Sequence, residues 1–365
     1  MKNIGVGILE NKEGLAPVSF WVREFSALGS TLHFADPLVE DQNFGLSSRE
    51  VQDIFSRIVC DLAEVTDPLP SLFSLEKAPD NCDRLSLTAL VVYALASLGF
   101  RYEDAVVVRP ALVASVLGEA PHTQAYHNTV HFRKVLQHTV RLIRMHNSLA
   151  DEMEPLSQEQ MVLLLTAACI HDLGHDGSGN VQAGQYEPGR LELQSSELAE
   201  PYLSAAGMSE GMMTYLRTMV LCTDASRPDN PSCPLTQLKA AFHHHFAGSS
   251  GKAEHTVGQI FSFLSHRADL TLLSMYLHEA DIMSSAGVSY EKTRCETILF
   301  KRERGEGAAR PSDVLEFFDT ICRGGFLSKA GQALAQKPFE TIRAAVEKDF
   351  EMGNAVYQQD TGSCS

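Results

Sequence analysis

The chain has 365 residues, 44% hydrophobic and 21% charged, globular values that exclude wholesale disorder. With 30 basic and 46 acidic residues it carries a formal charge of -16. That balance argues against a nucleic-acid polymer as partner, because such binders carry a basic surplus or stripe, but a small phosphate-bearing ligand fits wherever a metal ion supplies positive charge locally. The 8 cysteines include no CxxC pair. In a chain too long to need disulfide staples they are expected to be free thiols in a reducing compartment. The first residues, "MKNIGVGILENKEG", lack the apolar run of a signal peptide, and "LTALVVYALASLGF" and "MVLLLTAACI" are too short to span a bilayer. A cytoplasmic protein with no membrane partner is expected.

The first 45 residues show little periodicity and read as an arm. "LSSREVQDIFSRIVCDLAEV" opens with a capping box, Ser47 and Glu50, followed by a helical stripe at Val51, Ile54, Ile58 and Leu62. "LSLTALVVYALASLGF" reads as a buried helix ended near Gly99. "QEQMVLLLTAACIHDLG", capped by Ser157, is another that stops at Gly174. "HTVGQIFSFLSHRADLTLLSMYLHEADIM" and "PFETIRAAVEKDFEMGNAVY" share the period. Loops fall at 174–190, 225–234 and 302–313, where glycine and proline gather. Strand alternation is scarce, so the expected fold is all-α. The expected layout is a partly helical extension over 1–70, a compact multi-helix domain over 71–350 and a tail over 351–365.

Four segments carry chemistry: "YHNTVH" (126–131), "HDLGHDGSGN" (171–180), "CTD" (222–224) and "HEADIMS" (278–284). His171 and Asp172 pair a neutral nitrogen with an anionic oxygen, donors that suit zinc, iron or manganese. Buried at the end of an apolar helix, they need a partner or a cation. An isolated His-Asp dipeptide reads best as a hydrogen-bonded pair. This one is followed by His175 and Asn180 and preceded by His127 and His131, which at i, i+4 are expected on one helix face. Asp281 is expected at the end of another apolar helix. Together these residues form a His/Asp set from three separated helices, as a catalytic metal with an open position requires.

In order and content these motifs resemble the class I 3',5'-cyclic-nucleotide phosphodiesterase catalytic domain, within the HD-domain metal-dependent phosphohydrolases. The resemblance covers roughly residues 85–345 and matches YHNxxH and HDxxHxGxxN in full. It implies that His131, His171, Asp172 and Asp281 hold a first metal, typically zinc. Asp172 would bridge to a second, typically magnesium or manganese, and a hydroxide between the ions would attack phosphorus. His127 would be the general acid that protonates the departing ribose oxygen. His175 would bond the water network or the phosphate, with Asn180 in support. The implied partner is a small phosphoester, a cyclic nucleotide, and helical enzymes of this kind form homodimers. The chemistry agrees with this assignment: an anionic diester needs charge neutralisation and a nucleophile at neutral pH, and histidine suits protonation of an alkoxide.

Other positions follow the family pattern less closely. Glu192 and Ser195 stand where an ExxS element orients a ligand or water, or they lie on a solvated helix face. Thr223 and Asp224 match the family's "TD", against a loop hydrogen bond as the plain alternative. The Trp and the "EFFxQG" segment that follow the late Asp are missing. "RGGF" places Arg323 where the family has a purine-clamping glutamine. Arginine donates but cannot accept, so it suits a second phosphate better than a purine edge. Phe326 is the corresponding base-stacking residue or ordinary core. His138 and His278 read as packed histidines, and the "HHH" at 243–245 as a solvated or capping stretch. The alternatives are a related hydrolase of another small phosphoester (a nucleoside monophosphate or alarmone-like nucleotide), an iron-dependent HD oxygenase with a similar ligand set, and a catalytically silent nucleotide sensor.

Overall fold

The computed structural model describes residues 15–31, 53–58, 85–149, 153–246, 258–353 and 356–357. Helices dominate in chain order: α1 (Val18–Thr31), α2 (53–58), α3 (Leu87–Ser97), α4 (Arg109–Leu117), α5 (Thr129–Ser148), α6 (Gln158–Ile170), α7 (Arg190–Ala205) and α8 (Glu210–Leu221). They continue as α9 (Pro234–Phe246), α10 (Gln259–Leu264), α11 (Ala268–Ala286), α12 (Tyr290–Glu303), α13 (Pro311–Phe317), α14 (Lys329–Gly331) and α15 (Lys337–Glu351). The all-α expectation holds. Among the described residues, no helix is long and apolar enough to cross a membrane.

The core is built around α6, whose residues from Met161 to Ile170 are all buried. A helix apolar on every side needs neighbours on every side, and α4, α5, α8 and α11 surround it. Ser157 caps it: its side chain accepts from the Gln160 amide while the Gln160 side chain accepts from the Ser157 amide. Helix α4 ends so close to it that a Cβ on Gly118 would meet the Cys169 carbonyl at 2.5 Å, so only glycine fits. Ser86 caps α3, and the chain turns at Gly99 with φ +82°, as the pattern implied.

Three features depart from the sequence reading. The periodic run over 255–283 is two helices, because Leu264 ends α10: its carbonyl accepts from His245 Nε2 at 2.8 Å and from Thr271 Oγ1 at 3.0 Å. His245, one of three successive histidines, is thus a capping group. Within the 174–190 loop, Val181–Gln182 pairs antiparallel with Gln185–Tyr186 around Ala183 and Gly184, both at positive φ, the geometry of a tight hairpin turn that period counting over such short strands cannot register. Cys295 is disulfide-bonded, while Cys169, Cys222, Cys233 and Cys322 are free. That corrects the free-thiol expectation at this position, because pairing is set by spatial approach, which spacing does not reveal. Finally, Ser47 and Glu50 lie outside the described residues, so only 53–58 of that expected helix is seen.

The helix near the chain start is part of this core. Trp21 and Phe25 in α1 are fully buried, and α1 packs on α3, with the Ala16 amide donating to the Phe100 carbonyl at 3.1 Å. Trp21→Ala should therefore cost about 3–5 kcal/mol of unfolding free energy in a urea titration. A loss below 1 kcal/mol would mean that α1 adds little to the core.

Candidate metal centre

Asn128 organises the first motif. Its Oδ1 accepts from the amides of Val130 at 2.9 Å and His131 at 3.3 Å, and its Nδ2 donates to the carbonyls of Gln124 and Ala125. It is the N-cap of α5. His131 therefore lies in the first turn, while His127 lies before the helix. The expectation that the two share a helix face is overturned, because the cap falls between them. His138, further along α5, is packed as expected and bonds Ser284 Oγ through Nε2 at 3.0 Å.

The second motif begins where α6 ends. His171 is its C-cap, and Gly174, at φ +82°, turns the chain away. Ser195 on α7 fastens this end: its Oγ donates to the Ile170 carbonyl and accepts from the Leu173 amide. Asp281 lies inside α11, five residues before its end rather than at it.

These elements bring His131, His171, Asp172 and Asp281 together, with one donor atom from each lying within 4.8 Å of all the others. His131 Nε2 is 3.2 Å from His171 Nε2, 3.3 Å from Asp172 Oδ2 and 3.1 Å from Asp281 Oδ1. His171 Nε2 is 3.1 Å from Asp172 Oδ2 and 3.7 Å from Asp281 Oδ1. Ligands about 2.0–2.2 Å from one ion stand roughly 3.0–3.5 Å apart, so the set fits a zinc-sized cation. His171 Nδ1 donates to the Ala168 carbonyl, which leaves Nε2 free to ligate. Among the described residues, His131 Nδ1 is buried without a hydrogen-bond partner.

The electrostatics point the same way. Burial disfavours charge on His171 and His131, yet Asp172 and Asp281 outweigh it, raising His131 and lifting His171 to about 10. Burial likewise opposes ionisation of Asp172 and Asp281; His171, His127 and His131 overcome it at Asp172, and His131 and His171 at Asp281, so both carboxyls are held below their usual range. Two partly buried carboxylates so arranged require positive charge, which a divalent ion between them would supply.

A second group, His127, His175 and Glu303, adjoins the first. Glu303 ends α12 with a side chain 1% exposed, and its Oε2 accepts from the amides of Tyr126 at 2.7 Å and His127 at 2.9 Å. Its Oε1 receives His127 Nδ1. Burial raises this carboxyl, but His127 and the two amides outweigh it and hold it at about 2. His127 Nε2 then faces Asp172, 4.0 Å from Oδ2. His175 stacks on His127 with centroids 3.7 Å apart, and its Nδ1 accepts from the Gly177 amide. Burial and the neighbouring His127 push His175 down to about 4. Sequence reading missed Glu303, since no spacing links it to residues 176 positions away.

The remaining candidates form a frame around the loop. Asn180 Oδ1 accepts from the Leu191 amide, and its Nδ2 donates to Glu192 and Ser226. Asp224 accepts from Tyr186 Oη, the Gly189 amide and the Ser226 amide. Between them they satisfy the start of α7, where Gly189 offers no side chain. Burial and then Asp224 raise Glu192 well above the usual carboxyl range. Thr223, just past the end of α8, donates to the Val220 carbonyl of that helix.

Two candidates lie apart. Arg323 is exposed, at φ 44°, with its guanidinium on Asp229 and the carbonyls of Pro228 and Thr320. Phe326 is 3% exposed and edge-on to Phe339. Among the described residues neither makes a hydrogen bond, ion pair or ring contact with the four-donor cluster. His278 is buried, its Nδ1 has no hydrogen-bond partner among the described residues, and burial pushes it down to about 3.

No family model matches this chain, and no curated protein does. Among solved structures it is similar to the Leishmania protein LmjPDEB1 in complex with IBMX, with 15% identity and a TM-score of 0.49 over 93% of this chain and 99% of that one.

Protein loaded with zinc and dialysed should retain about one ion per chain by elemental analysis. His171→Ala and Asp281→Ala should each lose most of it. Retention of a full equivalent by both variants would remove the pocket as the binding site.

Proposed function

We propose that this protein is a metal-dependent phosphodiesterase that hydrolyses a 3',5'-cyclic nucleotide to the 5'-monophosphate. One observation carries the reading: four donors spaced as the ligands of one ion stand beside a histidine that a buried carboxylate aims at them. A neutral-pH hydrolase of an anionic ester needs those two parts. The acidic balance of the chain supports a small phosphoester over a polymer.

His131, His171, Asp172 and Asp281 would hold zinc, with magnesium or manganese beside Asp172. Metal bound there supplies positive charge to the phosphoryl oxygens and water of lowered pKa, near roughly 7. The protein's own part is proton delivery. In the protonated imidazole of His127 both nitrogens donate, Nδ1 to Glu303 and Nε2 into the pocket. Transfer of the Nε2 proton to the departing ribose oxygen leaves a neutral ring still held through Nδ1. His175, neutral near pH 7, packs on that ring without adding a competing charge and ties down the loop through Gly177. Asn180, Glu192, Ser195 and Asp224 keep the loop and the end of α6 in place, while Thr223 closes the end of α8.

The second reading is hydrolysis of another small phosphoester. Its support is in the sequence, where the resemblance implies a purine-clamping glutamine and this chain has Arg323. A screen with added manganese separates the two: cyclic AMP, cyclic GMP, cyclic dinucleotides, mononucleotides and bis(p-nitrophenyl) phosphate. Diester hydrolysis is expected, and activity on monoesters alone would favour the second reading. His127→Ala should keep its metal and lose roughly 10²–10⁴-fold in turnover. Glu303→Gln should keep its metal and lose turnover less severely, because the ring loses its anionic support but keeps a hydrogen bond. Parallel loss of metal in His127→Ala would assign that residue to the ligand set instead.

A further inference from the structure

Helix α12 carries Glu303, the carboxylate that holds His127, yet it brings few apolar side chains to the core. Its buried residues are Thr293, Cys295 and Glu296. It packs on α11, α13 and α15, and apolar contacts of that kind are non-directional, so rotation and slide are left to polar links. Two carboxylates supply them. Glu296 and Glu303 stand about two turns apart and so project from the same side of α12. Glu303 Oε2 accepts from the amides of Tyr126 and His127, ahead of α5. Glu296, with a side chain 2% exposed, receives Lys134 Nζ at 2.7 Å from α5 itself, one turn after His131. Tyr126 is fastened alongside, its ring tilted on His131 at 4.9 Å and its hydroxyl 3.3 Å from Ser285 Oγ on α11.

A buried carboxylate paired with one ammonium is a directional constraint, because separating the two leaves a charge uncompensated away from water. Lys134 lies on the same helix as His131. A contact that fixes α12 to Lys134 therefore refers Glu303 to the frame of the four-donor cluster. We propose that Lys134 and Glu296 are positioning residues, a strut that sets the register of α12 against α5 and so delivers Glu303 to His127. Both act through Glu303 and not on the substrate. This rests on the reading of His127 as the proton donor.

Neutralising one partner would bury an unpaired charge, so the test removes both, with Lys134→Met and Glu296→Leu in one chain. In zinc-loaded protein this double variant should keep its zinc and its KM for bis(p-nitrophenyl) phosphate. Its kcat should fall roughly 10- to 100-fold, the scale for displacing a reacting group by up to about 1 Å. Lys134→Arg, which retains the pair, should retain the rate. In a Glu303→Ala background the double substitution should cost little more, because the route through Glu303 is already gone. Proton NMR reads the contact without turnover: the downfield Nδ1 proton signal that disappears in His127→Ala should weaken or move upfield in the double variant. An unmoved signal, an unchanged kcat in an active enzyme, or a full further loss in the Glu303→Ala background overturns the strut. If the signal depends on Lys134 and Glu296 in a protein that hydrolyses no phosphoester, the strut stands and the hydrolase reading falls.

Discussion

Two carboxylates, Asp172 and Asp281, are held against two imidazoles in a largely buried pocket, and the surrounding architecture is arranged around that constraint. Like charges cannot be confined this closely without compensation. Proton uptake by His131 and His171 is one solution, visible in the upward push on both rings. A divalent ion is the other, and the donor separations suit it. Each donor reaches the pocket by a different local device: a helix N-cap for His131, a helix end pinned by Ser195 for His171 and Asp172, and the buried interior of α11 for Asp281.

The second group, His127, His175 and Glu303, adjoins this pocket without joining it. Glu303 engages the backbone and ring of His127 at once, so ring orientation and loop position are fixed by a single carboxylate. His175 fills the space against the ring. The outer frame of Asn180, Glu192 and Asp224 does for the loop what caps do for helices, supplying partners to backbone groups that would otherwise be buried unpaired.

Much of this was legible in the sequence wherever the signal is local. Ser157 with Gln160, the apolar run of α6 and the turn at Gly174 follow from capping and hydrophobicity, and the four clustered donors stand in motifs whose residue types suit a metal. What was not legible depends on long-range approach or on a single competing bond. Asn128 reads as a spacer until its side chain is seen to start the helix, which moves His127 off the expected face. Glu303 contacts His127 only after α12 folds back. The split between α10 and α11 turns on His245 and Thr271 meeting one carbonyl. Phe326 and Arg323, read by likeness of position, lie in the core and on an ion pair respectively.

The three-helix origin of the pocket also bears on folding. A cation held by α5, the end of α6 and α11 would bind the assembled chain and find no comparable site in the unfolded one, so loading and folding become linked equilibria. Chelation would then act as a mild denaturant, felt first where the helices meet. The buried charge that makes the pocket costly to assemble empty would thereby tie the persistence of the fold to the supply of its ion.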